Sequence, residues 1–145
     1  MKLNELYEQK CNEVSDIYYH LPKLKELSSQ CNHVTEFGVR GGNSTIALLS
    51  GQPQKLISYD INPCPKFLWD IEENTDFRFF QKNVLNIEID PTDFLFIDTL
   101  HTYEQLSQEL KLHGSKVSKW IAFHDTKLFG FRGENYEGKE VDGLW

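Results

Sequence analysis

The stretch HVTEFGVRGGNSTIALLSGQPQKLISYD, residues 33–60, decides the fold. It opens with a β-like run over 33–37 and passes through a turn holding Gly38, Gly41 and Gly42. A helix-like run follows over 44–50, then a second β-like run over 55–59 that ends at Asp60. A strand, a tight turn, a helix and another strand in this order predict a right-handed crossover between parallel strands. The glycines permit positive φ and bare backbone against a ligand, and the helix start beyond them offers unpaired N–H groups. Asn43 or Ser44 is the expected cap of that helix.

Reading outward, β-like runs recur at 77–81, 93–97 and 119–123, with helices expected at 65–73 and 102–113. Thr102 and Gln105 have capping-box spacing, and Tyr103, Leu106 and Leu110 share one face of the last helix, where Tyr103 is expected to pack. The prediction is an α/β, Rossmann-like, doubly wound, mostly parallel sheet in the order 3-2-1-4-5. Upstream, Leu3, Leu6, Tyr7, Val14, Ile17 and Tyr18 predict an amphipathic helix stopped before Pro22, and a second helix is expected over 22–30. The chain divides into a helical segment (1–31) packing on the domain, the α/β domain (32–126) and a Gly-rich tail (127–145) read as loop.

A chain of 145 residues that is 39% hydrophobic can close one core. Its 22 acidic and 15 basic residues give a formal charge of -7, which repels a phosphate backbone, so nucleic acid is excluded as a partner. Cys11, Cys31 and Cys64 fit neither a disulfide framework nor a structural zinc site and read as reduced thiols. No apolar run has the length of a membrane span and no signal peptide is visible, so a cytoplasmic protein is expected, with no membrane partner.

The turn selects its ligand by spacing and charge. A dinucleotide fingerprint needs Gly-x-Gly-x-x-Gly, but Arg40 stands two residues after Gly38, which weakens an NAD-linked reductase reading. Glu36 at the end of its strand sits badly beside a pyrophosphate, yet can accept a hydrogen bond from a cationic amino-acid group directly or through water. Asp60, ending the next strand, is placed for ribose hydroxyls. A Gly-Gly turn alone is more often a tight connection. Glu36 and Asp60 together with the strand context favour a nucleoside carrying an amino-acid arm.

Glu36 through Ser44 resembles motif I of the class I S-adenosylmethionine-dependent methyltransferases. The segments DFLFIDTLHTYE (93–104) and IAFHDT (121–126) resemble a small-molecule O-methyltransferase group that includes macrocin O-methyltransferase and cephalosporin hydroxylase-like proteins; the likeness runs over about 32–126. The resemblance implies S-adenosylmethionine held by Glu36, Phe37, Gly38, Arg40, Gly42 and Ser44. Asp60 and Ile61 would lie at the ribose, Asn83 and Val84 at the adenine, and Asp98 near the methyl group. It implies a small hydroxylated acceptor, with His101 or His124 as general base and Asp125 beside them. In some relatives Mg²⁺ is bound by carboxylates at the places of Asp98 and Asp125. Alternatives stay open: His101 can organise its turn, His124 can bond backbone, and Arg40 can pair with Glu36, with a ligand carboxylate or with water.

A complete sheet of that family has seven strands, and the last two are missing here. The fifth strand is then an edge, expected either to pair in a homodimer or to be covered by the tail. Two other functions remain beside the methyltransferase: a non-catalytic cofactor-binding or assembly module, and the disfavoured reductase.

Overall fold

The computed structural model describes residues 2–135 and 138–144; Tyr136, Glu137 and Trp145 of the tail lie outside them. Five strands, β1 (His33–Phe37), β2 (Lys55–Asp60), β3 (Asp76–Gln81), β4 (Thr92–Ile97) and β5 (Val117–Phe123), form one parallel sheet in the order β3-β2-β1-β4-β5. The expected order is the observed one, and each strand begins at or within two residues of its expected start.

Alternation along the strands separates two cores. Val34, Leu56, Phe94 and Phe96 face one side, packing with α1 (Leu3–Asn12), α2 (Leu21–Ser28) and α3 (Asn43–Ser50). Phe37, Ile57, Leu95 and Ile97 face the other, against Leu106 of α4 (Tyr103–His113). Glu36, Ser58, Asp60 and Asp98 share the parity of the first set, so every carboxylate that matters below leaves the sheet on the α3 side or at its carboxyl end.

Three expectations change. The first helix ends at Asn12 because residues 13–17 leave helical geometry; Val14, in register for the apolar stripe, is 87% exposed. The helix expected over 65–73 is a short 3-10 turn, Lys66–Asp70, which buries only Leu68. Tyr103 is 53% exposed and does not pack, leaving Leu106 and Leu110 as the stripe. Thr102 does cap α4, its hydroxyl accepting from the Gln105 N–H at 3.1 Å, but the Gln105 amide turns to Glu109 instead of closing the box.

The tail folds back over the carboxyl end of β4 and the start of α4. Glu134 N–H donates to the His101 carbonyl at 2.7 Å, Tyr103 N–H donates to Asp142 at 3.0 Å, and Leu144 joins the α4-side core. Among the described residues no strand pairs with the outer edge of β5. No helix among them is long and apolar enough to cross a membrane.

Candidate functional site

The glycine turn is fastened at both ends. Gly38 has φ +89° and donates its N–H to Tyr59 at 2.9 Å. Its backbone runs so close to β4 that a Cβ there would lie 2.1 Å from the Asp98 carbonyl oxygen. Arg40 (φ +45°) and Gly42 (φ +81°) complete the curve into α3. Asp60 ties the turn to β2: Oδ2 accepts from the N–H groups of Val39 and Arg40 at 2.7 and 2.9 Å, and Oδ1 accepts from Asn62 N–H at 2.8 Å. A carboxylate has about four lone-pair sites, so one acceptor position remains on Oδ1.

A cavity of about 350 Å³ lies over this edge, walled by Gly38, Asp60, Asn83, Val84, Asp98 and His101, with Arg40 and Ile61 also contributing. The Asn83 oxygen accepts from Leu85 N–H at 2.9 Å and so caps the turn that follows β3. A second cavity of about 170 Å³ lies against the start of α3, walled by Asp16, Arg40, Asn43, Ser44 and Asp98. Gly42, not Asn43 or Ser44, stands at the N-cap of α3 and brings no side-chain cap, so the first-turn N–H groups stand at this wall. Phe37 lies in the core, its ring edge-on to Tyr59 and His113, and Gly42 packs against Phe67 and Leu68.

Glu36 is fully buried behind the turn and lines neither cavity. Its carboxylate accepts from the hydroxyls of Ser44 (2.6 Å), Thr45 (2.8 Å) and Ser58 (2.6 Å), joining β1, β2 and α3. Burial outweighs these three donors and pushes its pKa up to about 7. An acid whose pKa rises on folding favours the folded state below its unfolded value and loses that contribution as pH climbs through the folded one. Between about pH 4.5 and 7 this residue should therefore erode stability, by at most about 1.4 kcal/mol per pH unit. Urea unfolding of wild type and Glu36→Gln across that window should give a difference that grows with pH; parallel curves would reject the assignment.

At the carboxyl ends of β4 and β5, Asp98, His101, His124 and Asp125 converge. Asp98 Oδ1 lies 3.0 Å from His101 Nε2 and 3.2 Å from His124 Nδ1, while Oδ2 lies 3.4 Å from the Arg40 guanidinium. Asp125 Oδ2 is 3.4 Å from His124 Nδ1 and 3.8 Å from His101 Nε2; its φ of +58° turns it toward the cluster beside its neighbour. Burial raises the Asp98 pKa, but the hydrogen bonds from both histidines and the nearby charges of His124 and Arg40 prevail and hold it well below the usual range. Burial lowers both imidazoles, yet the Asp98 hydrogen bond and charge leave them raised. Mg²⁺ fits this set poorly. A hard ion wants oxygen ligands, and two of the four groups present imidazole nitrogen.

Arg40 pairs with Asp16 at 2.6 Å and with Asp98, not with Glu36. Two participants lie outside the sequence expectation. Glu134 Oε2 meets His101 Nδ1 at 3.1 Å, and the Asp16 carbonyl meets His124 Nε2 at 3.1 Å. His20 packs edge-on to His124. Asp16 and Glu134 come from the loop before α2 and from the tail, where no motif marks them.

No protein-family profile matches the chain, and no curated protein sequence matches it. Among solved structures, one from Staphylococcus aureus assigned as a caffeoyl-CoA O-methyltransferase aligns with TM-score 0.59 and 15% identity, covering 89% of this chain and 67% of that one. An S-adenosylhomocysteine-bound methyltransferase from Podospora anserina aligns with TM-score 0.55 and 13% identity, covering 88% of this chain and 63% of that one. The chain thus spans about two thirds of the length of either. Its parallel sheet, its strand order and these two alignments give it the α/β fold of the class I methyltransferases.

Proposed function

We propose that the chain binds S-adenosylmethionine across the carboxyl edge of β1, β2 and β4 and transfers its methyl group to a hydroxyl of a small molecule. The observation that carries this reading is the cavity of about 350 Å³ above a turn that Asp60 fastens to β2. The ribose takes the acceptor position left on Asp60 Oδ1, and the adenine lies toward Ile61, Asn83 and Val84. The amino-acid arm reaches the smaller cavity, where Arg40 and the start of α3 meet its carboxylate. Glu36 acts from behind by holding Ser44 and Thr45, so it positions the turn and does not touch the ligand.

Methyl transfer needs the acceptor oxygen, the methyl carbon and the sulfonium sulfur in line, and fixing that geometry supplies several kcal/mol without strong acid-base help. The proton leaving the acceptor passes to the Asp98 carboxylate on the cavity wall and on to water. His101 and His124, each anchored at both ring nitrogens, position Asp98. No step is assigned to Mg²⁺.

Calorimetry with S-adenosylhomocysteine and NADH is the direct test. Binding in the micromolar range, about -8 kcal/mol, is expected for the first and none for the second. NADH binding alone would transfer the site to a reductase. A binding module without turnover is the second reading. S-Adenosylhomocysteine binding with no methylation across a broad hydroxyl panel would assign it. We also propose that two copies pair through the outer edge of β5, and sedimentation of a monomer at working concentration would remove that element.

A further inference from the structure

We infer that Glu109, buried behind the wall of the larger cavity, sets which end of the Gln105 amide faces a bound base, and so makes the site select a base that carries an exocyclic amine. The inference rests on the cofactor reading above and adds to it a positioning residue and the group that reads the base.

The helix α4 turns three side chains into the protein, Leu106, Glu109 and His113. A carboxylate in such a place is costly, and an apolar side chain of similar size often serves stability as well or better. Glu109 is fully buried, and its Oε2 meets no partner. Its Oε1 accepts from the Thr99 hydroxyl at 2.5 Å and from the Gln105 amide at 2.9 Å. Both donors belong to the cavity wall that also carries Leu100 and His101, whereas Glu109 does not line this cavity. Stability alone gives no reason for an acid at this position; the two wall groups it holds do.

A glutamine amide shows a ligand either a carbonyl acceptor or an N–H donor, and half a turn of the group exchanges them. The carboxylate takes the donor end. Gln105 Nε2 is thereby committed to Glu109, and Oε1, which meets no donor among the described residues, is the end left for the cavity. The Thr99 hydroxyl gives its proton to the same carboxylate and keeps only lone pairs. These two side chains therefore accept and do not donate. They suit the amine of an adenine ring and oppose the carbonyl of hypoxanthine, which would set oxygen against oxygen.

Calorimetry on the full chain compares S-adenosylhomocysteine with S-inosylhomocysteine, in which a carbonyl replaces the amine. Titration at about pH 8 keeps Glu109 ionised against the burial that raises its pKa. Wild type is expected to favour the adenosyl compound about 10-fold or more. Glu109→Met fills similar space but holds neither wall group; it should bring the two affinities within about 3-fold, with a urea midpoint at or above that of wild type. Glu109→Gln should reverse the preference. Its own amide has two N–H groups for Thr99 and Gln105, so Gln105 turns and shows its donor to the cavity. A residue that only supported the fold would change both affinities in step with stability and leave their ratio unmoved. Should circular dichroism find both Glu109 variants unfolded, Gln105→Met, at a half-buried position, should cancel the preference in their place. A wild type that binds both compounds equally, or a preference unchanged in the folded variants, would overturn the inference and leave the cofactor reading standing. A wild type that binds neither compound would remove both.

Discussion

Gly38→Ala is expected to destabilise the chain by about 2–6 kcal/mol and to abolish nucleoside binding in whatever fraction still folds. The new methyl carbon would lie 2.1 Å from the Asp98 carbonyl oxygen and 2.8 Å from the carbonyl carbon, both backbone atoms of a buried strand end that no rotamer change can move aside. Overpacking of this kind costs about 1–3 kcal/mol, and the φ of +89° adds about 1–3 kcal/mol for a residue with a Cβ. Relief requires β1 and β4 to separate just where Asp98 N–H donates to Phe37 at 2.8 Å, so the Asp98 cluster moves with the backbone. Gly41→Ala is the internal control. A Cβ at Gly41 meets nothing within 4 Å, and its effect should stay within about 0.5 kcal/mol. Urea midpoints of the two variants, with calorimetry against S-adenosylhomocysteine, check both expectations; equal midpoints would show that the strand ends have slack the distances deny.

The three central strands are readable because a parallel sheet buried on both faces demands mostly apolar residues. Val34, Phe37, Leu56, Phe94 and Leu95 meet that demand with no exposure at all. The turn was readable for a steric reason, since only glycine at position 38 admits the Asp98 carbonyl. Short helices carry no comparable signal. Phe67, Leu68 and Trp69 are consecutive and suit a helix as well as a 3-10 turn, and Val14 continues an apolar period in a segment that has left the helix.

The candidate site divides in the same way. Local spacing reveals Asp60, Asp98 and His101 because each follows a strand end. Asp16 and Glu134 reach the cluster through tertiary folding, across 108 residues to His124 and 33 to His101, and no periodicity records such distances. The buried side of Glu36 was also hidden. Its place at a strand end is plain in the sequence, but the three hydroxyls that occupy it come from two other elements, Ser44 and Thr45 of α3 and Ser58 of β2.

Asp60→Ala should lower cofactor affinity at least 100-fold, together with a measurable loss of stability. The carboxylate serves two purposes that can be separated. Toward the protein it accepts from three backbone N–H groups. Removing it leaves the buried Val39 N–H without an acceptor, at about 1–3 kcal/mol, while the exposed Arg40 and Asn62 can recover water. Toward the ligand it offers one charged acceptor, and a hydrogen bond to a charged group contributes about 1.5–3 kcal/mol, roughly 10- to 150-fold in affinity. Because the turn also loosens, the loss for alanine should exceed that bond alone. Asp60→Asn distinguishes the two purposes: its oxygen can keep the Val39 and Arg40 contacts while its amide faces the ribose, giving up only the bond from the exposed Asn62 N–H. Stability close to wild type with affinity reduced at least 10-fold is the expected pattern for asparagine. Affinity for S-adenosylhomocysteine that survives in asparagine but falls in alanine would mean that Asp60 only shapes the turn, and the ribose would then need another acceptor along the same edge.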